Sequence, residues 1–362
     1  MSSEREAIKA DFLQRSGFGA AAREPLAGDA STRRYERLHR PGEPSLIFMD
    51  QPPAMESAPC PPDATPAERL AAGYNASARL AAGRVEAFVA CADYLRGRGL
   101  SAPAILAADA AQGLAVLEDL GDGLFARVIE AGGDEAELYR AAIDALVTLH
   151  AEAPPAVLNG QAVWPLLAYD DLALKTGADV FLEWMPKLKP ELGFDAAAVV
   201  DWERLWAPIR RRGEEGAEVF CHRDYHAENL IWLPDRDGPA RVGLIDFQDA
   251  LRAHPAWDLS MLLHDARRDV SPEREAAALD RYLAAGPGVD RDRFLADFRA
   301  LGALNVVRIL GVFARLVVRD SKPRYLGFMP RMWRYLDRCL GAPGMEGLKG
   351  WFDRHVPEAS RT

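Results

Sequence analysis

The chain has 362 residues, a mass of 39.7 kDa and a formal net charge of −10. That length leaves room for two domains, that charge argues against a nucleic-acid partner, and 49% hydrophobic against 27% charged residues excludes a disordered or fibrous chain. No uninterrupted apolar run approaches ~18 residues, the first seventeen residues are too polar for a signal peptide, and Cys60, Cys91, Cys221 and Cys339 stand far apart, so a cytoplasmic protein without membrane segment, zinc ribbon or disulfide scaffold is expected.

Residues 1–50 read as a short helix followed by the strands Arg34 to Leu38 and Ser45 to Met49, with a Pro41-Gly42 turn between them. A small polar turn, Ala27-Gly28-Asp29-Ala30-Ser31-Thr32, precedes the strands. Six prolines between 51 and 66 predict an irregular connection, and alanine-rich helices follow to about Arg98. Ala104 to Ala108 and Leu114 to Leu117 read as a strand pair. After Glu118-Asp119-Leu120-Gly121 the texture turns helical, which places a domain boundary there: 1–119 and 120–362. Leu138, Ala142, Ile143, Leu146 and Leu149 predict a helix from Glu135 to His150, ended by Pro154-Pro155. Farther on, Asn229 to Leu233 and Val242 to Ile245 read as strands about the turn Pro234 to Gly238, with helices from Pro255 onward.

The chemistry concentrates in His222-Arg223-Asp224-Tyr225-His226-Ala227-Glu228-Asn229, followed by Leu244-Ile245-Asp246-Phe247. With Asp237 at the turn centre, Asn229 lies eight residues before it and Asp246 nine after, so an antiparallel pair sets both side chains at one end. Asp224 lies in the loop entering that end. Mg²⁺ wants oxygen ligands and takes one or two carboxylates plus substrate phosphates. Asn229 and Asp246 suit it, and Asp224 is left to accept a proton from an attacking hydroxyl, the division of labour of phosphoryl transfer. The ordinary reading is that Asp224 and Asn229 cap a turn and Asp246 a helix. A rival reading takes His222, Asp224 and His226 as a zinc box on one strand face, and hence a metal-dependent hydrolase.

This pattern resembles the aminoglycoside phosphotransferase-like small-molecule kinases. The resemblance covers most of the chain and implies an α+β, two-lobed, protein-kinase-like fold: a small antiparallel-sheet N-lobe, a larger helical C-lobe, and ATP with Mg²⁺ as cofactors. It assigns Gly28, Asp29, Ala30, Ser31, Thr32, Arg33 and Arg34 to a phosphate-covering hairpin. It assigns Glu118 and Leu120 to the hinge that meets adenine, and His222 and Asp258 to the support of the catalytic loop. Four blocks are similar, more specifically, to the bacterial anomeric kinases of N-acetylmuramate and N-acetylglucosamine: Gly28 to Tyr35, Phe48 to Pro53, Ile245 to Ala250 and Leu310 to Leu316. That similarity implies phosphorylation of a sugar C1 hydroxyl in cell-wall recycling, with His226, Gln248 and Arg315 toward the amino-sugar substrate and no obligate protein partner. A kinase of another sugar, amino alcohol or aminoglycoside is an alternative on the same scaffold.

One departure stands out. The third strand, Ser45 to Asp50, carries no lysine for the nucleotide phosphates. Arg33 and Arg34 are candidate replacements, or ordinary solvated strand arginines; without a replacement the chain would be a weakly active nucleotide-binding module. Between Asn305 and Leu340 eight Lys/Arg stand against two acids, a solvated basic face or an anion-recognising one.

Overall fold

The computed structural model describes residues 3–26, 33–51, 59–286 and 290–361. Its first elements are α1 (Ser3–Arg15), β1 (Ala22–Pro25), β2 (Arg34–His39) and β3 (Leu46–Asp50). Phe12 and Leu13 of α1 pack with Phe18, Leu38, Leu46, Phe48, Leu114 and Val116, the alternating positions of one sheet face. Lys9, fully buried on the same side of α1, donates to Glu36 at 2.6 Å and Glu6 at 2.9 Å. Glu36 and Leu38 therefore face α1, and by strand alternation Arg33, Tyr35 and Arg37 face the other way.

Next come α2 (Pro66–Ala72), α3 (Tyr74–Ser77), α4 (Val85–Gly97), β4 (Ile105–Asp109) and β5 (Leu114–Glu118). Thr65 caps α2 in a reciprocal box with Glu68, and Pro66 fills the first turn, so that last proline starts a helix rather than extending the connection. The five strands form one antiparallel sheet in the order β1-β2-β3-β5-β4. After it come α5 (Phe125–Glu130), α6 (Glu135–His150), as its apolar spacing predicts, and the small hairpin of β6 (Val157–Asn159) and β7 (Val163–Pro165), which the sequence reading did not foresee.

The remaining elements are α7 (Asp171–Leu188), α8 (Ala196–Glu215), β8 (Val219–Cys221), β9 (Leu230–Trp232), β10 (Val242–Leu244), β11 (Leu251–Ala253), α9 (Ala256–Leu263), α10 (Pro272–Ala285), α11 (Arg291–Val318), α12 (Met329–Leu340) and α13 (Glu346–His355). The chain divides into two compact units: 1–149 with 155–166 and 228–250, and 150–154 with 167–227 and 251–362. This division does not fall at Asp119. The β9–β10 hairpin belongs to the first unit because its backbone is bonded there: Leu244 N donates to Ser101 O at 2.7 Å, and Trp232 N to Gly123 O at 2.7 Å.

The second unit is helical, with the two-stranded pair β8–β11 as its sheet part. Its central helix, α11, packs on α7 so closely that a Cβ on Gly311 would stand 2.4 Å from Phe181 N; only glycine fits. Phe181 also stacks on Trp202, and Trp351 and Phe352 close the same aromatic core. By length and a mean hydropathy of 1.9 over eighteen residues α11 is long and apolar enough to cross a membrane, but 67% of that window is buried inside the protein, as in a core helix.

Candidate active site

In the first unit, Asn229 and Asp246 come to the same end of the β9–β10 hairpin. The register pairs Leu230 with Leu244, and Ile245 N donates to Asn229 O at 3.2 Å. Asp246 adopts φ +65°, a left-handed conformation that costs a non-glycine residue about 1 kcal/mol and marks a special position. It is fixed by its neighbours. Phe247 is fully buried and stacks on Phe88 at 4.8 Å, and the Asp249 carboxylate accepts from Ala81 N at 2.6 Å. Ala81 lies in a turn where Arg79 and Ala82 also hold positive φ.

Arg33 reaches this end. Its Nη2 is ion-paired with Asp246 Oδ1, and its Nη1 donates to Gln248 Oε1 at 2.7 Å and to Tyr35 Oη at 3.2 Å. Gln248 Nε2 in turn donates to Asp246 Oδ1 at 3.2 Å. Burial would lower the guanidinium's pKa, but the charges of Tyr35, Asp246 and Asp249 outweigh it and hold the value above its usual range. Arg34, one residue on, takes the opposite strand parity and is exposed. The donor set, an amide oxygen and a carboxylate with a cation already drawn to it, fits a hard divalent ion, which Asn229 and Asp246 would hold.

Glu118 and Leu120 are engaged within this unit. The Glu118 carboxylate accepts from Arg236 at 2.6 Å, from Ala104 N at 3.0 Å and from Arg96 at 3.3 Å, and Leu120 lies over Gly243. Gly28 to Thr32 and the block ending at Pro53 fall wholly or partly outside the described residues.

In the second unit, β8 ends at Cys221 and residues 222–227 form a loop. This removes the strand face that would have gathered His222, Asp224 and His226. Among the described residues no group of three His, Cys, Asp or Glu side chains is placed to hold a metal. Asp258, in the first turn of α9 and fully buried, supports the loop: its carboxylate accepts from His222 N at 2.7 Å and Arg223 N at 2.8 Å, and the Cys221 thiol donates to it at 3.2 Å. Arg223 holds φ +79°, so these bonds clamp a strained backbone directly before Asp224. Burial pushes the Asp258 carboxyl up, but His150, His222 and the His222 N–H hold it below the usual carboxylate range. Asp224 is half-buried, and its carbonyl accepts from His226 N at 3.1 Å. Past it, Asp265 accepts from Ala227 N at 3.3 Å.

Several neighbours were not visible in the sequence. His150 lies 3.8 Å from Asp258 and bonds Tyr282 at 2.9 Å; Arg223 lies over the Tyr169 ring, which meets Trp257 edge-on, with Arg308 over Trp257. Their contacts are long-range, and no local spacing announces them. Much of the basic run is ion-paired within the unit: Arg319 to Asp320, Arg331 and Arg334 to Asp269, Arg338 to Glu275. Arg315 is half-buried on α11.

The sequence pattern of the phosphotransferase enzyme family matches residues 22–295. A Caulobacter vibrioides protein named N-acetylmuramate/N-acetylglucosamine kinase is 68% identical over 362 residues, 100% of this chain and 99% of the relative. A Pseudomonas aeruginosa protein of the same name is 32% identical, over 87% of this chain and 83% of the relative. Among solved structures, a choline/ethanolamine kinase family protein from Mesorhizobium loti has a TM-score of 0.57 at 15% identity, covering 96% of this chain and 98% of that one. An ADP-bound aminoglycoside phosphotransferase has a TM-score of 0.52 at 12% identity, covering 94% and 97%. At those identities the structures establish the fold, the α+β kinase-like fold that the sequence resemblance implies.

Proposed function

The chain belongs to the phosphotransferase enzyme family, and we propose that it transfers the γ-phosphoryl group of ATP to the C1 hydroxyl of N-acetylmuramate and N-acetylglucosamine. The observation that carries this is the 68% identity, end to end, to the Caulobacter kinase. The sugar C1 oxygen forms the new bond to the γ-phosphorus, and the bond from that phosphorus to the β–γ bridging oxygen breaks. ADP leaves with the electron pair, and the hydroxyl proton passes to Asp224. The anomeric hydroxyl is the most acidic of the sugar's hydroxyls, so a carboxylate can serve as its base. Asn229 and Asp246 would hold Mg²⁺, which would supply charge stabilisation to the phosphates. Asp258 acts through the backbone of His222 and Arg223, positioning Asp224 without touching substrate. Arg315, with His226, is assigned to the substrate, the guanidinium facing the lactyl carboxylate that distinguishes muramate. Glu118 and Leu120, at the end of β5, are assigned to the adenine edge, where 1–119 would end as the nucleotide-covering lobe and 120–362 begin as the sugar-binding one. This reading makes the protein a cytoplasmic enzyme of cell-wall recycling.

The test is phosphorus NMR of the product made from N-acetylglucosamine and ATP, with the 1-O-methyl glycoside as control. Phosphorus coupled to C1, and no product from the glycoside, is expected. A glycoside phosphorylated as fast as the free sugar refutes the anomeric assignment. Arg315→Ala is expected to penalise the muramate substrate more than the glucosamine one, and equal penalties remove Arg315 from carboxylate recognition.

A further inference from the structure

The third strand carries no cation, yet the sheet is not without one in the right quarter. On β3 the positions facing away from α1 are Ile47 and Met49, neither of them charged. Tyr35 of β2 lies opposite Met49 in the register, so Arg33, two residues earlier and of the same parity, stands on that face one step beyond the strand's end. It is the residue whose guanidinium is ion-paired with Asp246 and bonded to Gln248 and Tyr35, its side chain only 11% exposed.

Resting on the kinase reading, we propose that Arg33 serves twice: without nucleotide it is the counter-cation of Asp246, and with Mg·ATP it yields that carboxylate and turns its charge to the phosphates in place of the missing strand lysine. Three features carry this. Asp246 sits in a strained left-handed conformation that presents its carboxylate at the hairpin end, where the Arg33 guanidinium and the Gln248 amide both meet Oδ1. A guanidinium is a single charge spread over five donors, so a divalent ion competes with it for one carboxylate oxygen, whereas phosphate oxygens match its fork better than any lysine would. Gln248 accepts from Arg33 and donates to Asp246 at once, so it bridges the pair. This places Gln248 in the latch rather than with the sugar, and it explains why Arg33, not Arg34, replaces the lysine.

The experiment reads binding, not turnover. Free Mn²⁺ is titrated without nucleotide by electron paramagnetic resonance. ATP, with Mg²⁺ present, and adenosine are titrated by calorimetry, using the parent and Arg33→Gln. Removing the competitor is expected to tighten free Mn²⁺ about tenfold, while ATP weakens about tenfold or more and adenosine changes less than about twofold. Those opposite signs are what a merely structural arginine would not give. Free-metal affinity that stays level or falls overturns the counter-cation role, and equal losses for ATP and adenosine overturn the phosphate role. Should Arg33→Gln not fold, Arg33→Lys decides. A lysine keeps the charge but cannot bond Asp246, Gln248 and Tyr35 together as the fork does, so it holds the carboxylate less firmly and Mn²⁺ tightens about threefold while the preference for ATP over adenosine is retained; Mn²⁺ affinity that stays level or falls, or loss of that preference, refutes the proposal. A parent protein that binds no ATP would instead refute the kinase reading itself.

Discussion

Replacing Asp258 by Asn keeps the size of the side chain and removes its charge. The parent carboxylate is fully buried and accepts two backbone N–H bonds, from His222 and Arg223. Bonds to a charged acceptor contribute about 1.5–3 kcal/mol and those to a neutral one about 0.5–1.5, so two such bonds lose roughly 2 kcal/mol together. The amide also has one oxygen for two diverging donors, and leaving one buried N–H unsatisfied adds about 1–3 kcal/mol. The expected loss is on the order of 3 kcal/mol, read by urea unfolding at pH 7. Turnover should fall with it, because Arg223 at φ +79° relaxes and carries Asp224 away. The effect has a sign in pH. The folded carboxyl lies below the usual range, so its contribution is present above the unfolded pKa of about 4 and lost as pH falls through the folded value. The gap between parent and variant should hold from pH 5 to 8 and narrow below about 4. A gap under about 0.5 kcal/mol at pH 7, or one that widens on acidification, refutes the clamp.

Asp224→Ala should lower turnover about 10²–10⁴-fold with ATP affinity nearly intact, and turnover within a few-fold of the parent removes Asp224 as the base. Asp246→Asn and Asn229→Ala should each raise the Mg²⁺ concentration needed for half-maximal turnover; unchanged demand in both counts against the hairpin-end site. His264 is buried, which alone lowers its pKa, but Cys339 and Glu275 push it up to about 9. Its contribution is therefore complete below the ordinary value near 6.5 and lost as pH rises through about 9, so the parent should lose on the order of 3 kcal/mol across that window. His264→Gln should flatten the loss, and an unaltered slope in urea melts assigns it elsewhere.

The residues that the sequence made legible are those whose partners are near in the chain. The helix from Glu135 to His150 follows its apolar spacing, and the β9–β10 hairpin follows from a turn whose arms are equally long. What stayed hidden was set by distant partners. β8 and β11 are three residues each and pair across some thirty positions, too short for a period and too far for a turn signal. The zinc alternative assumed that 222–226 continued a strand, but a buried carboxylate from α9 captures that backbone instead. Arg33 and Arg34 are equal in composition, and only the strand's alternation, fixed by Lys9 gripping Glu36, separates them.

The first unit is assembled from 1–149, 155–166 and 228–250, and this has a consequence for biosynthesis. When Leu149 leaves the ribosome the sheet can form, but the β9–β10 hairpin that completes the unit is encoded about a hundred residues later. At roughly 5–20 residues per second that is an interval on the order of 5–20 s. During it, apolar groups such as Phe88, whose stacking partner is Phe247, wait uncovered. Nascent chains should therefore be most exposed to aggregation and chaperone capture between those two lengths, and a fragment ending near Leu149 should be a poor substitute for the unit.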